Sequence, residues 1–273
     1  MAQRIHKPPF PLSQFVEFIW RTANSGTPPS RQRVYPNGAM ALVIHLKNPT
    51  ASYYFGDRTL SVRVPLLAGP YSISFHMDPS ESTEVIGILF RPGAGRMFFP
   101  VAAHELQNND VALHDICAGE AERLLSELCF ARSEETQFLV VERYLQRKMK
   151  TATAIHPAVR YAIDQLSGPG ALLRVRKIQL ETAFSHTHFI QLFREQVGLT
   201  PKLFGRVRRF QALMARIEKG FPVNWAELAA DTGYFDQAHL IHDFREFAGV
   251  TPLEFSRGVR GIDRAVFSAT GGS

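Results

Sequence analysis

The chain has 273 residues, two cysteines and a formal net charge of +6. This length suits two domains of ordinary size, and two cysteines are too few for a disulfide framework. No apolar run approaches the roughly 18 residues that a membrane span needs. The charged, proline-rich segment 1–12 does not resemble a signal peptide. We therefore expect a cytoplasmic protein without a membrane partner, and its basic charge is compatible with a polyanion.

Short β-type runs separated by turn residues occupy residues 34–99. The runs are 41–46, 52–55, 71–75 and 84–90, and the turns are Asn37-Gly38, Gly56-Asp57, Gly69-Pro70 and Pro92-Gly93. This pattern predicts an antiparallel sheet or a small barrel, on which the apolar face of residues 14–20 packs. In residues 118–150 the apolar residues recur at helical spacing, which predicts two helices that pack on the sheet.

The polar, small-residue stretch 148–154 is the predicted linker between two domains. The predicted fold class is α+β. Residues 1–150 form an amino-terminal antiparallel β domain with a helical hairpin, and residues 155–260 form an all-α domain.

A sequence unit occurs twice in the second domain. F-R-E-Q-V-G-L-T-P-K-L-F at 193–204 returns as F-R-E-F-A-G-V-T-P-L-E-F at 244–255, an offset of 51 residues (244 − 193). In each copy the glycine is suited to end a helix, and Thr-Pro is suited to begin the next one. A shorter helical pattern precedes each copy, at 175–181 and at 225–231, so the sequence predicts two helix-turn-helix units.

One long helical pattern, 201–219, connects the two units. At 1.5 Å per residue it is about 28 Å long, which approaches the roughly 34–36 Å of one DNA turn. The helix can therefore hold two recognition helices in successive segments of the major groove.

Two sets of motifs resemble known families. With A-D-T-G-Y-F-D-Q-A-H-L at 230–240 and the repeated unit, residues 156–257 resemble the DNA-binding domain of the AraC-type transcriptional regulators. V-Y-P-N-G at 34–38, L-A-G-P at 67–70 and I-L-F-R-P-G at 88–93 are similar to an uncharacterised amino-terminal domain that often precedes it. The resemblance implies double-stranded DNA as partner and association with the bacterial nucleoid. A small-molecule effector, RNA polymerase and a second copy of the chain are further candidate partners.

Two groups of residues are the candidate DNA contacts. Helical periodicity together with the resemblance assigns base contacts to Thr187, His188, Ile190, Gln191, Gln237, Ala238, His239 and His242. Two basic clusters are the candidate phosphate contacts: Arg174, Arg176, Lys177, Arg206, Arg208 and Arg209. The alternative is that these residues form a solvated charged face. In the resembled family a small residue lies where the two helices of a unit cross, and glycine commonly follows in the turn. The second unit keeps both, as Ala229 and Gly233, whereas the first has Gln179 and Ala183. We therefore expect the second unit to carry more of the specificity.

The aromatic residues Tyr53, Phe55, Phe75 and Phe90 are the candidate lining of an effector pocket, with an ordinary β-domain core as the alternative. No pattern predicts catalysis, a metal or a cofactor. His104-Glu105 has Asn108 where a zinc protease motif needs histidine, and His104, His114 and Cys117 match no zinc spacing.

The sequence therefore predicts a transcriptional regulator that is not an enzyme and binds DNA sequence-specifically, modulated by an amino-terminal sensing or dimerisation domain. The competing hypothesis is a small-molecule sensing protein whose helical domain serves protein interaction.

Overall fold

The structure is a computed structural model and describes residues 2–23, 32–47, 50–78, 84–149, 154–167, 184–218 and 224–258. In these ranges no helix combines the length and the apolar character that crossing a membrane requires.

Two antiparallel sheets form the amino-terminal half. The strands are β1 (Ala2–His6), β2 (Val16–Ala23), β3 (Gln32–Val34), β4 (Ala41–His45), β5 (Thr50–Phe55), β6 (Arg58–Arg63), β7 (Leu66–Ala68), β8 (Phe75–Met77), β9 (Glu84–Phe90) and β10 (Asp110–Ala112). The larger sheet has the order β1-β2-β9-β4-β7-β10, and the smaller has the order β3-β8-β5-β6. The predicted antiparallel β domain is confirmed.

The central strands of the larger sheet, β4 and β9, are apolar except for His45 and Glu84 at their ends, because both faces of the sheet are covered. In β4, Ala41 and Val43 join a core that also contains residues of the smaller sheet. The alternate residues Leu42 and Ile44 join a second core beneath a pair of helices. Successive side chains of a strand point to opposite faces, so each face receives every second residue.

Helices follow the strands. They are α1 (Leu113–Ile116), α2 (Ala118–Phe130), α3 (Glu134–Met149), α4 (Pro157–Leu166), α5 (His186–Val197), α6 (Pro201–Glu218), α7 (Trp225–Asp231), α8 (Gln237–Ala248) and α9 (Pro252–Gly258). The predicted hairpin corresponds to α2 and α3, which pack on the larger sheet. Helices α4 to α9 contribute to one separate core in the carboxy-terminal half.

Several predicted boundaries need correction. The strand expected at 71–75 is β8, which begins only at Phe75. Upstream of it, the Ser72 amide donates to Asn108 Oδ1 at 2.7 Å, so this backbone is held by a side chain instead of by a strand. The predicted linker began at Lys148, but α3 extends to Met149, and Lys148 is ion-paired with Glu120 on α2. Residues 150–153 lie outside the described ranges.

The two halves of the chain are in contact through polar and aromatic groups. The Tyr35 ring lies 6.2 Å from that of Phe210 and 5.7 Å from that of Phe255, centroid to centroid. Arg96 forms an ion pair with Glu195 of α5. Arg33 donates to the Ala248 carbonyl, where the negative end of the α8 dipole favours a cation. The carboxyl ends of both α5 and α8 therefore rest on the amino-terminal half.

Gly198 and Gly249 end α5 and α8 in the same left-handed conformation, with φ of +91° and +70°. A Cβ atom on Gly198 would lie 2.2 Å from Pro70 Cγ and 2.8 Å from the Ala103 carbonyl oxygen. A Cβ on Gly249 would meet only the flexible Arg33 side chain, at 3.2 Å.

We expect Gly198→Ala to reduce the free energy of unfolding more than its matched control Gly249→Ala. Both substitutions carry the left-handed penalty of about 1–2 kcal/mol. Only Gly198→Ala adds overpacking against backbone, worth about 1–3 kcal/mol more. Urea unfolding of the full chain measures the difference, and equal losses would show that Pro70 and Ala103 move aside without cost.

Asp110 is a buried carboxyl group on β10. The Tyr71 hydroxyl donates to its Oδ1 atom at 2.9 Å. Burial raises the pKa of Asp110 to about 7, although the hydrogen bonds from Tyr71 and from the Gly69 amide act to lower it. The folded chain therefore keeps a proton that the unfolded chain releases near pH 4.

This shift predicts a stability that falls as pH rises. The contribution of Asp110 is fully present below about pH 4, is lost progressively up to about pH 7, and is constant above that. Asp110→Asn should remove this fall, and the exposed control Asp115→Asn should retain it. Urea midpoints measured at pH 5, 6, 7 and 8 provide the test. A wild-type chain and an Asp110→Asn variant with parallel profiles would contradict the raised pKa.

Candidate DNA-binding surface

Helices α5 and α8 are equivalent elements at the offset of 51 residues, and each has a side-chain N-cap. Ser185 Oγ accepts from the His188 amide at 3.3 Å, and Asp236 Oδ1 accepts from the His239 amide at 2.7 Å. These caps satisfy amides that have no partner within the helix, so both helices begin where the sequence predicted.

The second helix-turn-helix unit consists of α7 and α8. Helix α7 spans the predicted range and is capped by Asn224, whose Oδ1 accepts from the Ala226 amide at 3.2 Å. Ala229 is buried in the core of this half, and Gly233 has a φ of +79° in the turn. The small residue and the glycine therefore occupy the positions that the resemblance assigned to them. Gln179 and Ala183 of the first unit lie outside the described residues.

Helices α5 and α8, the predicted recognition helices, present matching exposed faces. The buried residues of α5 include Phe189, Phe193 and Val197, and those of α8 include Leu240, Phe244 and Ala248. Among the predicted base-contacting residues, Thr187, His188, Gln191, Gln237 and Ala238 are exposed, and Ile190 is half-buried. The amino-terminal turns of both helices are therefore accessible, while residues at their carboxyl ends contact the other half of the chain.

The two histidines of α8 differ in exposure. The His242 side chain is 75% exposed. The His239 side chain is 33% exposed, and its ring meets the edge of Tyr234 at 5.3 Å between centroids. His239 Nε2 also lies 3.7 Å from Asp243 Oδ2. Of this pair, His242 is the freer to contact a ligand from solution.

Asp243 attaches α8 to the connecting helix α6. Its side chain is 2% exposed and lies between two guanidinium groups. Arg206 Nη2 is 2.7 Å from Asp243 Oδ1, and Arg209 Nη2 is 3.3 Å from Asp243 Oδ2. Arg206 also reaches Glu246, one turn further along α8. A buried carboxylate with two cationic partners fixes the position of the second recognition helix against α6.

The basic cluster on α6 does not form one phosphate-binding face, which corrects the sequence prediction. Arg209 is 3% exposed, donates to the Gly233 carbonyl and lies over the Tyr234 ring. Burial lowers its pKa. Arg206 is occupied by two carboxylates. Arg208 lines a cleft between the two halves. The helical period places Arg206 and Arg209, at i and i+3, together on the face toward α8 and directs Arg208 to the cleft. The other predicted cluster, Arg174, Arg176 and Lys177, lies outside the described residues.

Three exposed residues near the recognition helices were missed by the sequence reasoning. Arg194 and Arg245 occupy equivalent positions in the last turns of α5 and α8. Within the described ranges neither guanidinium has an ion-pair partner, and both are exposed. The repeated F-R-E segment already paired them. Phe235, in the turn before α8, is 93% exposed. Only its position next to the N-cap could have indicated a surface role.

In the described part of the chain, one group of side chains has metal-ligand geometry. His242, Asp243 and Glu246 offer ligand atoms within 4.8 Å of one another. Arg206 already neutralises both carboxylates, so a cation would have to displace a guanidinium. His114 is instead 2.6 Å from Glu122, and Cys117 is 3.6 Å from Lys148.

The candidate effector pocket is divided between two cores. The rings of Tyr53 and Phe55 lie 5.3 Å from that of Phe75, and Tyr71 adds a fourth ring at 4.6 Å from Phe75. Phe90 belongs to the core on the other face of the larger sheet, stacked 5.1 Å from Phe98. Strand alternation therefore removes Phe90 from the predicted group, and the remaining rings pack against one another.

Comparisons with known proteins found two family models and several similar structures. A domain of unknown function, DUF6597, matches residues 4–112, and a helix-turn-helix domain matches residues 180–258. ToxT from Vibrio cholerae is 12% identical with a TM-score of 0.48, over 94% of this chain and 97% of ToxT. The C-terminal domain of AraT, a response regulator from Geobacillus stearothermophilus, is 18% identical with a TM-score of 0.35, over 42% of this chain and 94% of that domain. No curated protein matches the sequence. The chain therefore contains a DUF6597 domain followed by a helix-turn-helix domain of the AraC type.

Proposed function

We propose that this chain regulates transcription by binding DNA sequence-specifically, with α5 and α8 in successive segments of the major groove. The observation that carries the proposal is the equivalence of the two helices. Each has a capped amino end with exposed polar side chains, and each is buried along its opposite face. Such side chains at the amino end of a recognition helix are placed to contact base edges.

The connecting helix supports reading by a single protomer. Helix α6 has 18 residues, which at 1.5 Å per residue gives about 27 Å. A DNA turn is roughly 34–36 Å, so two helices that flank α6 are at a suitable scale for adjacent groove segments. The ion pairs of Asp243 keep α8 in a fixed position on α6. An asymmetric site read by one chain follows from this arrangement.

Arg194 and Arg245 are better candidates for phosphate contacts than the cluster on α6. Both are exposed, and each lies on the same helix face as the predicted base-contacting residues, at i+3 from Gln191 and from His242. Guanidinium groups placed beside base readers neutralise phosphates and fix the register of the protein on the duplex.

The amino-terminal half, which we assign to residues 1–150, is proposed to sense a small molecule or to mediate dimer contacts. Its contacts at Glu195 and Ala248 support this role, because they fix the carboxyl ends of both recognition helices. A change in the amino-terminal half would therefore alter the spacing of the helices in the DNA-binding half, residues 155–260.

The first test is a fluorescence-anisotropy titration of the full chain with a random duplex across a salt series. We expect binding whose logarithmic affinity falls linearly with the logarithm of the salt concentration, because each neutralised phosphate releases counterions. The double variant Arg194→Gln and Arg245→Gln should reduce the slope by roughly two units. Absence of binding at low salt would reject the DNA proposal and favour a protein-interaction role for the helical half.

The second test concerns His242, which we expect to contact base edges. His242→Ala should cost about 1–3 kcal/mol at a selected site and little on random DNA. It should also relax the preference at one or two adjacent base pairs. Binding-site selection from a random DNA pool, performed with both proteins, measures both effects.

His114→Ala is the matched control, because His114 is paired with Glu122 in the amino-terminal half. It should leave the selected sequence unchanged. Identical selected sequences for wild type and His242→Ala would show that this histidine does not read bases. A small loss on every duplex would assign it to phosphate instead.

A further inference from the structure

The turn that precedes α8 carries an uncovered phenyl ring. Phe235 is 93% exposed, a larger fraction than for any other large apolar side chain in the ranges that the structure describes. An apolar residue directly before a helix N-cap often packs against the fourth residue of the helix, which here is Leu240. Leu240 is fully buried in the helical core, whereas the Phe235 ring lies in solvent. This local packing is therefore not made.

The repeat provides a comparison, because Phe184 occupies the equivalent position before α5 (235 − 184 = 51). Its ring stacks on that of His188, with 5.0 Å between the centroids and 9° between the planes. It also meets the ring of His156 edge-on at 5.4 Å. Phe184 is accordingly half-buried. A phenyl ring at this position can therefore be covered by its own chain, as it is in the first unit.

The second unit does not cover its phenyl ring in this way. His239 is the equivalent of His188, but its ring meets the edge of Tyr234 at 5.3 Å between centroids. Tyr234 is itself buried in the helical core. The histidine that would stack on Phe235 is therefore directed inward, and the phenyl ring remains available to a partner from solution.

Position and charge both favour a DNA base as that partner. Phe235 is continuous with Gln237 and Ala238, exposed residues that we propose to face base edges. The apolar group that base pairs present in the major groove is the C5 methyl of thymine. Asp236, next to the ring, caps α8 through Oδ1, and its negative charge opposes close approach of a phosphate. The ring is therefore better suited to a base than to the DNA backbone.

We infer that Phe235 is a specificity-determining residue, whose ring packs on the C5 methyl of a thymine in the segment contacted by α8. This inference rests on the proposed function, because it requires α8 to lie in the major groove. Removing one methyl group from water corresponds to about a fourfold change in affinity. The Phe184 ring is already stacked on His188, so the inference concerns the second unit alone.

The test is a double-mutant cycle between the phenyl ring and the methyl group of the base. Binding sites are first selected from a random DNA pool with the wild-type chain and with Phe235→Ala, which identifies a thymine whose preference depends on the ring. Deoxyuridine, which lacks only the C5 methyl, then replaces this thymine in a duplex for fluorescence-anisotropy titration. We expect the replacement to weaken binding by the wild type about fourfold and to leave binding by Phe235→Ala unchanged.

Two further variants serve as controls. Phe235→Leu keeps an apolar side chain and should retain part of the sensitivity to the methyl group. Phe130→Ala removes a phenyl ring that is 81% exposed at the end of α2, in the amino-terminal half, and should bind both duplexes as the wild type does. Because the Phe235 side chain is exposed, its replacement should leave the urea midpoint of the chain unchanged.

An equal loss on deoxyuridine for the wild type and Phe235→Ala would overturn the inference, because another residue would then cover the methyl group. A selection in which no thymine preference depends on the ring would also overturn it. A uniform loss by Phe235→Ala on every duplex would assign the ring to deoxyribose, and unchanged DNA binding by this variant would assign it to a protein partner. Failure of the proposed function is distinguishable, because the wild type would then bind no duplex at low salt, and both proposals would be rejected.

Discussion

The position of the second recognition helix depends on one buried carboxylate. Asp243 lies on the inner face of α8 and accepts from Arg206 and Arg209 of the connecting helix. Removing a charged group from water is costly, so such a group is stable only where its partners are held in place. Apolar contacts between Phe210 and Phe244 bring the two helices together, and the ion pairs select one rotation and one offset between them. The base contacts that we propose for α8 require that precision, because hydrogen bonds depend closely on distance and angle.

Contacts between the two halves add a second constraint at the opposite ends of the recognition helices. The amino ends of α5 and α8 are exposed, while the carboxyl ends meet the amino-terminal half through Glu195, Gly198 and Ala248. The helix surfaces that we propose to contact DNA are therefore attached to the half that we propose to sense a small molecule or to mediate dimer contacts.

The charged residues of α6 illustrate how one cluster in the sequence can serve different purposes. Arg206, Arg208 and Arg209 look equivalent in a basic run, and a phosphate-binding face is the simplest interpretation. A helix turns 100° per residue, so Arg206 and Arg209 share the face toward Asp243, while Arg208 is directed away from it. In this chain one guanidinium joins an exposed carboxylate and a buried one, one is enclosed beside Tyr234, and one faces the interdomain cleft. Exposed arginines near the helix surfaces proposed to bind DNA include instead Arg194 and Arg245, which occupy equivalent positions in the repeat.

The repeat determined much of the helical half before any tertiary information. Ser185 and Asp236 cap helices, Gly198 and Gly249 end them, and apolar residues at helical spacing assign the buried faces, because all of these are local effects. The β-type runs between turn residues likewise predicted the strands β4 and β9. The sequence did not identify β1, in which Ala2 and the exposed Ile5 are the apolar residues; this strand is defined by its pairing with β2.

Tertiary structure decided what each side chain meets. Phe90 does not belong to the predicted pocket, because its position in the strand directs its side chain to the other face of the sheet. Arg209 does not lie on the predicted DNA-binding surface, because it is paired with Asp243, which is 34 residues away in the sequence. His239 is partly turned toward Tyr234, while His242 remains exposed. Local pattern thus determined the helices, the turns and the inward faces of this protein. The partners of its charged groups depend on contacts distant in the sequence, which only the packed chain brings together.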